Sequence, residues 1–169
     1  MVAMSVRLLV VRHGATDWSE AGRFCGWADV PLNARGREQA RNLRPSLKGR
    51  QFTGVWSSDL ARATETARLA VGSAVPDPRL RELDFGSLEG MRWEDCPLPV
   101  REALLEFDGF RASGGESVST LRARVLAFAE RLLDGEHLVF THGGVVRLLA
   151  REMGREERIA PGGLRMVAL

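Results

Sequence analysis

Two histidines in this sequence each follow a short apolar run and precede a glycine. Leu8–Val11 leads into Arg12-His13-Gly14, and residues 138–140 lead into Thr141-His142-Gly143-Gly144. Apolar runs of this length, rich in β-branched residues, are typical of parallel strands that are buried on both faces. Open α/β sheets bind ligands at the carboxyl ends of such strands. We therefore expect both imidazoles at one edge of a sheet, where a nucleophile and a proton donor would be useful.

Either histidine motif alone is weak, because a three-residue match arises often by chance and a capping histidine at a strand end is common. The repetition is the stronger observation, since the chain has only 3 histidines and histidine is only moderately often buried. The remaining histidine, His137, opens its strand beside Glu136. We predict that His137 is a solvent-exposed end residue.

The elements that would position these residues alternate between strand and helix, which is typical of an α/β fold with a largely parallel sheet. Besides the two histidine strands, we predict strands over 52–56, 74–75 and 164–169 and an extended piece at 80–81. Predicted helices begin after Asn33, Asp59 and Ser117 as N-caps and again at Val145, with a brief helix near 104–107. Pro45 marks either the last turn of the first of these helices or a break in it. Residues 15–32 lack periodicity and form a predicted loop, and a loop this long is usually functional.

Composition restricts the class of protein. A chain of 169 residues is about one domain, given roughly 100 to 200 residues per domain. A net charge of +2 with 27% charged residues argues against a nucleic-acid binder or a membrane-surface protein. Cys25 and Cys96 are too few for a disulfide scaffold or a zinc site, so we expect a cytoplasmic protein. Met1–Ser5 lacks the basic start of a signal peptide, and no apolar run reaches membrane-spanning length.

Six ordered segments resemble the motifs of the histidine phosphatase superfamily, in its phosphoglycerate-mutase-like branch. They are Arg12-His13-Gly14-Ala15-Thr16, then Gly22-Arg23-Phe24 with Gly26-Trp27 and Pro31-Leu32, then Ser57-Ser58-Asp59-Leu60-Ala61-Arg62-Ala63 with Thr66-Ala67, then Glu82-Leu83-Asp84-Phe85-Gly86 with Leu88-Glu89-Gly90, then Gly114-Gly115-Glu116-Ser117, and Thr141-His142-Gly143-Gly144. The resemblance implies one histidine phosphatase domain over 1–169. Its implied fold is a single-domain three-layer α/β/α arrangement with a mostly parallel central sheet.

The resemblance also implies roles for the site residues. His13 would attack phosphorus and carry the phosphoryl group, His142 would donate to its oxygens, and Glu82 would serve as general acid and then as base. Predicted substrate-binding residues are Arg12, Arg62, Ser19 and Gly143. A phosphate monoester carries about −1.5 to −2 charges at pH 7, which guanidinium forks and helix-opening amides, here those of Gly143 and Gly144, accommodate well.

These roles imply a metal-independent phosphomonoesterase acting on a small phosphorylated metabolite, most similar to the α-ribazole-5′-phosphate phosphatases. This scheme requires neither a metal nor a cofactor. The expected partner is a small phosphate ester, and we expect binding to neither nucleic acid nor a membrane. A homodimer is compatible with these expectations. A cofactor-dependent phosphoglycerate mutase and a catalytically weak phosphoester-binding protein remain alternatives. Ala15 and Ser19 depart from the family pattern, in which many members carry Glu and Asn.

Asp84, Glu89 and Glu116 compete with Glu82 as catalytic carboxylates, but capping or solvated roles suit each of them better.

Specificity is expected from two irregular segments with aromatic side chains, which either line the pocket or pin the loops to the core. Those side chains are Trp18, Phe24 and Trp27 in residues 15–32, and Met91, Trp93, Phe107 and Phe110 with Arg111 in residues 91–116.

Overall fold

The two histidine strands lie side by side in one five-stranded sheet. The computed structural model describes residues 5–169, so residues 1–4 of the expected non-signal start lie outside the described part. Its strands are β1 (Val6–Arg12), β2 (Gly54–Ser57), β3 (Val75–Pro76), β4 (Gly135–Thr141) and β5 (Leu164–Ala168). Their order is β3-β2-β4-β1-β5, and only β5 runs antiparallel to its neighbour among these described strands. The predicted mostly parallel sheet is confirmed.

The register of β1 against β4 brings the two histidines together. Arg12 pairs with Thr141 in this parallel ladder, so His13 and His142 are each the first residue beyond a paired strand end. The backbone N–H of His13 continues the pattern by donating to the Thr141 carbonyl at 2.9 Å. Both imidazoles are thereby fixed at the carboxyl edge of the sheet, as the apolar runs predict.

Helices cover both faces of the sheet. They are α1 (Asp17–Glu20), α2 (Ala34–Asn42), α3 (Arg44–Leu47), α4 (Ala61–Val71), α5 (Leu98–Glu106), α6 (Val118–Ala129) and α7 (Gly143–Glu152). Because side chains alternate along a strand, Leu9 and Val11 of β1 pack in a cluster with α3 and α4 residues, whereas Leu8 and Val10 pack in another with α6 and α7 residues. The three-layer α/β/α prediction is confirmed.

Local capping chemistry explains where several helices begin. Asn33 accepts a hydrogen bond from the Gly36 amide, and Ser117 accepts one from the Thr120 amide, as predicted for N-caps. The helix interruption associated with Pro45 lies two residues earlier, at Leu43, because α2 ends at Asn42 and α3 begins at Arg44 with Pro45 in its first turn. Helix α6 ends at Ala129, and no described helix is long and apolar enough to cross a membrane.

The prediction that Asp59 caps α4 is wrong. Leu60 is the N-cap, and the Ala61 amide donates instead to the Asp29 carboxylate at 2.8 Å. Asp59 accepts two hydrogen bonds from the Arg81 guanidinium, at 2.7 and 2.6 Å. These bonds lower the pKa of Asp59 and engage its carboxylate away from the helix end.

Two further local predictions are wrong. His137 is buried rather than exposed, with 2% of its surface accessible, because Trp56 Nε1 donates to its Nδ1 at 3.2 Å and its Nε2 lies 2.8 Å from the Leu133 carbonyl. The piece predicted to be extended at 80–81 belongs partly to a 3-10 turn over Pro78–Leu80. Two more such turns, Gly86–Leu88 and Trp93–Asp95, shape the segment that carries Glu82.

Candidate active site

A cleft of about 300 Å³ opens at the carboxyl edge of β1 and β4. Five of the seven predicted site residues line it, namely Arg12, His13, Ser19, Glu82 and Gly143. The other two are fully buried. His142 lies beside His13, with 5.1 Å between ring centroids, and the Arg62 charge acts on both imidazoles. The structure therefore brings all seven predicted residues to one place.

The His13 imidazole is held with one nitrogen available for attack. Its Nδ1 lies 2.7 Å from the Gly14 carbonyl, which has no proton to donate, so Nδ1 must carry the proton and Nε2 keeps its lone pair. Burial lowers the pKa of His13 well below its usual value, and the charges of Arg62 and Arg12 lower it further. A neutral imidazole with a free Nε2 is the nucleophilic form.

Gly14 allows this strand end to approach the helical layer. A Cβ at position 14 would lie 2.3 Å from the Gly36 carbonyl oxygen in the first turn of α2. The Gly14 amide also donates to Thr66 Oγ1 at 3.1 Å, which connects the His13 loop to α4. Only glycine permits this contact, so the loop that follows His13 is held against two helices.

The Arg62 guanidinium is buried and has no carboxylate partner within residues 5–169. It donates to the backbone carbonyls of Gly26 at 2.6 Å, Ala28 at 3.0 Å and Cys25 at 3.3 Å. Carbonyl dipoles orient this cation but do not neutralise it. Arg12 similarly donates to the Ile159 carbonyl at 2.8 Å, and burial lowers its pKa. Two incompletely compensated cations at one site favour an anionic ligand.

Unpaired polar atoms concentrate at the same place. In residues 5–169, four buried side-chain nitrogens have no hydrogen-bond partner, namely Nε of Arg12, Arg62 and Arg101 and Nδ1 of His142. Three of these four belong to the predicted site. Since buried polar groups are nearly always paired in native proteins, this concentration indicates a site for a ligand that accepts hydrogen bonds.

Glu82 lies against the start of α7. Its carboxylate accepts from the Leu83 amide at 2.8 Å and from the Gly144 amide at 2.9 Å. A Cβ at position 144 would lie 2.2 Å from Glu82 Oε1, so a larger residue there would displace the Glu82 carboxylate. Both Gly143 and Gly144 line the cleft, but the expectation that both of their amides serve a substrate anion is corrected for Gly144, whose amide already donates to Glu82.

Ser19 lines the cleft while its hydroxyl serves a local cap. Ser19 Oγ accepts from the Thr16 amide and donates to the Thr16 carbonyl, both at 2.9 Å. These bonds hold the start of the short helix α1, which follows the His13 loop. The three competing carboxylates have similar structural roles, because Asp84 accepts from Gly86, Glu89 from Gly26 and Trp27, and Glu116 from Arg124.

Two residues near the chemistry have no role in the predictions from sequence. Ser58 is fully buried, with its Oγ 2.8 Å from His142 Nε2. Arg124 of α6 donates to the carbonyls of Arg79, Arg81 and Glu82 while pairing with Glu116. Arg124 thereby fixes the backbone that presents Glu82. The Ser57-Ser58 pair within the family-like motif was the available signal for Ser58. For Arg124 there was none, because it is one of two arginines on helix α6 and nothing local distinguishes it from Arg122.

The outer part of the cleft is aromatic and basic. Of the aromatic residues expected to form its walls, Phe24, Trp93 and Phe107 line it, together with Phe85. Phe110 instead packs in the core at 4% exposure, outside this cleft. Trp27 donates from Nε1 to the Glu82 carbonyl and so supports the site from behind. The predicted walls are therefore present in part.

Cys25 also lines the cleft, and its carbonyl contacts Arg62. Burial raises the pKa of its thiol to about 11, although the Arg62 charge acts in the opposite direction. Cys25 and Cys96 are both free thiols.

Within the described residues, no cluster of three or more His, Cys, Asp or Glu side chains is arranged to hold a metal ion.

Comparison with known proteins agrees with this geometry. The family model described as histidine phosphatase superfamily (branch 1) matches residues 8–161. The phosphoglycerate mutase-like protein 4 of Arabidopsis thaliana is 36% identical over 84% of this chain and 68% of its own. The adenosylcobalamin/alpha-ribazole phosphatase of Escherichia coli K12 is 36% identical over 88% of this chain and 80% of its own.

A solved structure shows that the likeness extends to the fold. The crystal structure of a phosphoglycerate mutase from Thermus thermophilus has a TM-score of 0.88 and 45% identity, covering 96% of this chain and 92% of that one. The matched region of the family model contains all seven predicted site residues, from Arg12 to Gly143. The chain is thus an enzyme that belongs to the histidine phosphatase superfamily, branch 1.

Proposed function

We propose that this enzyme hydrolyses a small phosphate monoester through a phosphohistidine on His13, without a metal ion. The observation that carries the proposal is the set of three unpaired nitrogens, Nε of Arg12, Nε of Arg62 and Nδ1 of His142, around a neutral imidazole with a free Nε2. A phosphoryl group supplies oxygens to all three donors and an electrophilic phosphorus to the lone pair.

In the first step, His13 Nε2 attacks phosphorus in line with the ester oxygen, so an N–P bond forms while the P–O bond breaks. Glu82, which lines the cleft, gives its proton to the departing oxygen. Arg12 and Arg62 hold the equatorial oxygens, and the start of α7 at Gly143 adds the positive end of a helix dipole.

In the second step, the Glu82 carboxylate takes a proton from water as the water oxygen attacks phosphorus. The N–P bond breaks, and its electron pair returns to His13 Nε2. Inorganic phosphate then leaves, with Glu82 again protonated and His13 again neutral. The two amides that hold the Glu82 carboxylate keep it in place for both proton transfers.

We propose α-ribazole-5′-phosphate as the first substrate to test. Its support is the similarity to the Escherichia coli phosphatase and an outer cleft wall with Phe24, Phe85, Trp93 and Phe107, which suits a flat apolar leaving group. The second candidate is phosphoglycerate mutase activity, because the Thermus structure carries that name. A mutase returns the phosphoryl group to a second phosphoglycerate, whereas a phosphatase transfers it to water.

The decisive experiment measures phosphate release in EDTA from a panel containing p-nitrophenyl phosphate, α-ribazole-5′-phosphate, phosphoserine and 3-phosphoglycerate. We expect release from the generic ester and a higher kcat/KM on one metabolite. Alkaline quench with a ³²P-labelled ester should trap a label on His13 that is stable in alkali and lost in acid. Isomerisation of 3-phosphoglycerate faster than its hydrolysis would favour the mutase, and absence of any turnover would leave the phosphoester-binding alternative.

The same proposal includes a cellular location and a partner class. Because Cys25 and Cys96 are both unpaired thiols, they suit a reducing compartment, and we place the enzyme in the cytoplasm. Its partner there is a small phosphate ester, since the cleft of about 300 Å³ has the size of a metabolite site.

A further inference from the structure

We infer that Ser58 is a positioning residue that fixes the tautomer of His142, so that Nδ1 of His142 carries the proton and donates it to the phosphoryl group. The inference deepens the proposed function, on which its phosphoryl ligand depends. It assigns Ser58 a role that acts through His142 rather than by contact with substrate.

The geometry around Ser58 leaves little freedom. Its backbone N–H donates to the Phe140 carbonyl at 2.8 Å, which extends the pairing of β2 with β4 by one residue and places Ser58 beside His142. Both side chains are fully buried, and Ser58 Oγ lies 2.8 Å from His142 Nε2. Neither group can exchange its partner for solvent without moving the sheet edge.

The hydrogen-bond inventory decides which atom donates. A serine hydroxyl has one proton and two acceptor positions. The Leu60 amide donates to Ser58 Oγ at 3.4 Å, and His142 Nε2 is the other described contact of that oxygen. If Nε2 donated as well, the Ser58 proton would have no acceptor among the described residues. The hydroxyl therefore donates to Nε2, which must be unprotonated.

The single proton of a neutral His142 then lies on Nδ1. Burial and the charges of Arg62, His13, Arg124 and Arg12 lower the pKa of His142 well below its usual value, so the ring is neutral at pH 7. Nδ1 is the nitrogen that has no protein partner among the described residues. In this tautomer Nδ1 of His142 is a buried donor that a phosphate oxygen can accept from. In the other tautomer the Nδ1 lone pair would face the phosphate oxygens and repel them.

The test uses ¹⁵N-histidine-labelled protein and reads the tautomer directly by NMR. In the wild-type protein at pH 7, His142 should show a protonated Nδ1 and an unprotonated Nε2. Inorganic phosphate, used as the probe, should shift the Nδ1–H resonance. A protonated Nε2 in the wild type would overturn the inference, and so would an Nδ1–H resonance that is unchanged at saturating phosphate.

The variant Ser58→Ala should give His142 a mixture of tautomers and reduce kcat about 10²-fold, with a much smaller change in KM, by analogy with loss of one oriented donor. Ser57→Ala is the matched control, because Ser57 is also buried but its Oγ donates to the Ser58 carbonyl rather than to a histidine. The control should leave the tautomer unchanged. Equal kcat and tautomer in wild type and Ser58→Ala would contradict the inference.

Failure of this inference can be told apart from failure of the proposed function. The tautomer is measured without turnover, so a protonated Nδ1 in a protein that hydrolyses no ester would count against the phosphatase alone. A misfolded Ser58→Ala protein does not prevent the decision, because the wild-type spectrum is sufficient to reject the inference.

Discussion

The inner and outer halves of the cleft are built in different ways. At the inner end, His13, Arg62, His142 and Ser58 lie at strand ends or on the first turn of a helix, are buried, and are held by backbone carbonyls or by each other. At the outer end, the walls come from turns, loops and the segment around α5. Under the proposed function, the sheet would supply the phosphate chemistry, and the irregular segments would supply the surface that meets the leaving group.

The charged groups differ in the same way. Arg62 at the inner end is fully buried and donates only to carbonyls among the described residues, whereas Arg147 at the outer end pairs with Glu156 at 2.6 Å and lies over the Phe107 ring at 4.6 Å. An ion-paired arginine supports the wall. An unpaired one is available to an anion. Substitutions at the inner end should therefore affect every ester alike, and substitutions at the outer end should affect esters unequally.

The largest expected effect is that of His13→Ala. Removal of the nucleophile should reduce kcat by about 10⁴-fold or more on every ester, since loss of a catalytic nucleophile costs at least this much in well-studied hydrolases. Phosphate release from the substrate panel measures it, with the melting temperature as the control for folding. Near wild-type turnover by a folded His13→Ala protein would refute the phosphohistidine mechanism.

Glu82→Gln should give the next largest effect, and it should depend on the leaving group. An alkyl ester needs its oxygen protonated, so its kcat/KM should fall by about 10² to 10⁴-fold. The p-nitrophenyl ester leaves as a stable anion and should lose much less in the first step. Both esters losing equally would show that Glu82 acts on binding or on the water step rather than on the departing oxygen.

Phe24→Ala and Phe110→Ala form a matched pair for the outer half. Phe24 lines the cleft and contacts Phe85 with ring centroids 5.1 Å apart, whereas Phe110 is a core residue outside it. Phe24→Ala should change the ratio of kcat/KM between α-ribazole-5′-phosphate and p-nitrophenyl phosphate about tenfold. Phe110→Ala should lower the melting temperature and leave that ratio unchanged. The same ratio in both variants would show that the aromatic wall does not select substrates.

The smallest expected effect is a dependence of stability on pH that originates at the inner end. The folded-state pKa values of His13 and His142 lie well below 6.5, so below that pH the unfolded chain binds protons that the folded protein does not. Stability should be full above the unfolded-state pKa and fall as pH decreases, by at most about 1.4 kcal/mol per pH unit for each histidine. Urea unfolding between pH 7.5 and 5.5 measures it.

The acid-induced loss of stability should be smaller in His13→Ala than in the wild-type protein. Inorganic phosphate should also reduce the loss, because a bound anion favours the protonated imidazoles. Equal pH dependence in the variant and the wild type would indicate that carboxylates, rather than the buried histidines, control it.

The sequence predicted the inner half well because its information is local. Apolar runs define β1 and β4, and a histidine directly after each run must lie at the strand end, whatever else surrounds it. The partners of those side chains are not local. Ser58 and His142 are 84 residues apart, and Glu82 and Gly144 are 62 apart, so their hydrogen bonds depend on how the strands assemble.

The same distinction explains the errors. His137 has the sequence surroundings of an exposed strand start, yet Trp56 of the neighbouring strand covers it. Asp59 has the sequence position of a cap, but Arg81 binds it more strongly than a helix amide would. Phe110 and Phe24 are both aromatic residues of irregular segments, and only the folded path of each segment separates a core residue from a wall residue.

Cys25 has a consequence for how this site tolerates its chemical surroundings. A thiol with a pKa of about 11 is only about one ten-thousandth thiolate at pH 7, and thiolate is the form that reacts with alkylating agents and peroxides. The cleft therefore contains a sulfur atom that should react slowly with electrophiles and oxidants at neutral pH. Activity should persist without added reductant, and a covalent inhibitor of this cleft would need to target a group other than its cysteine.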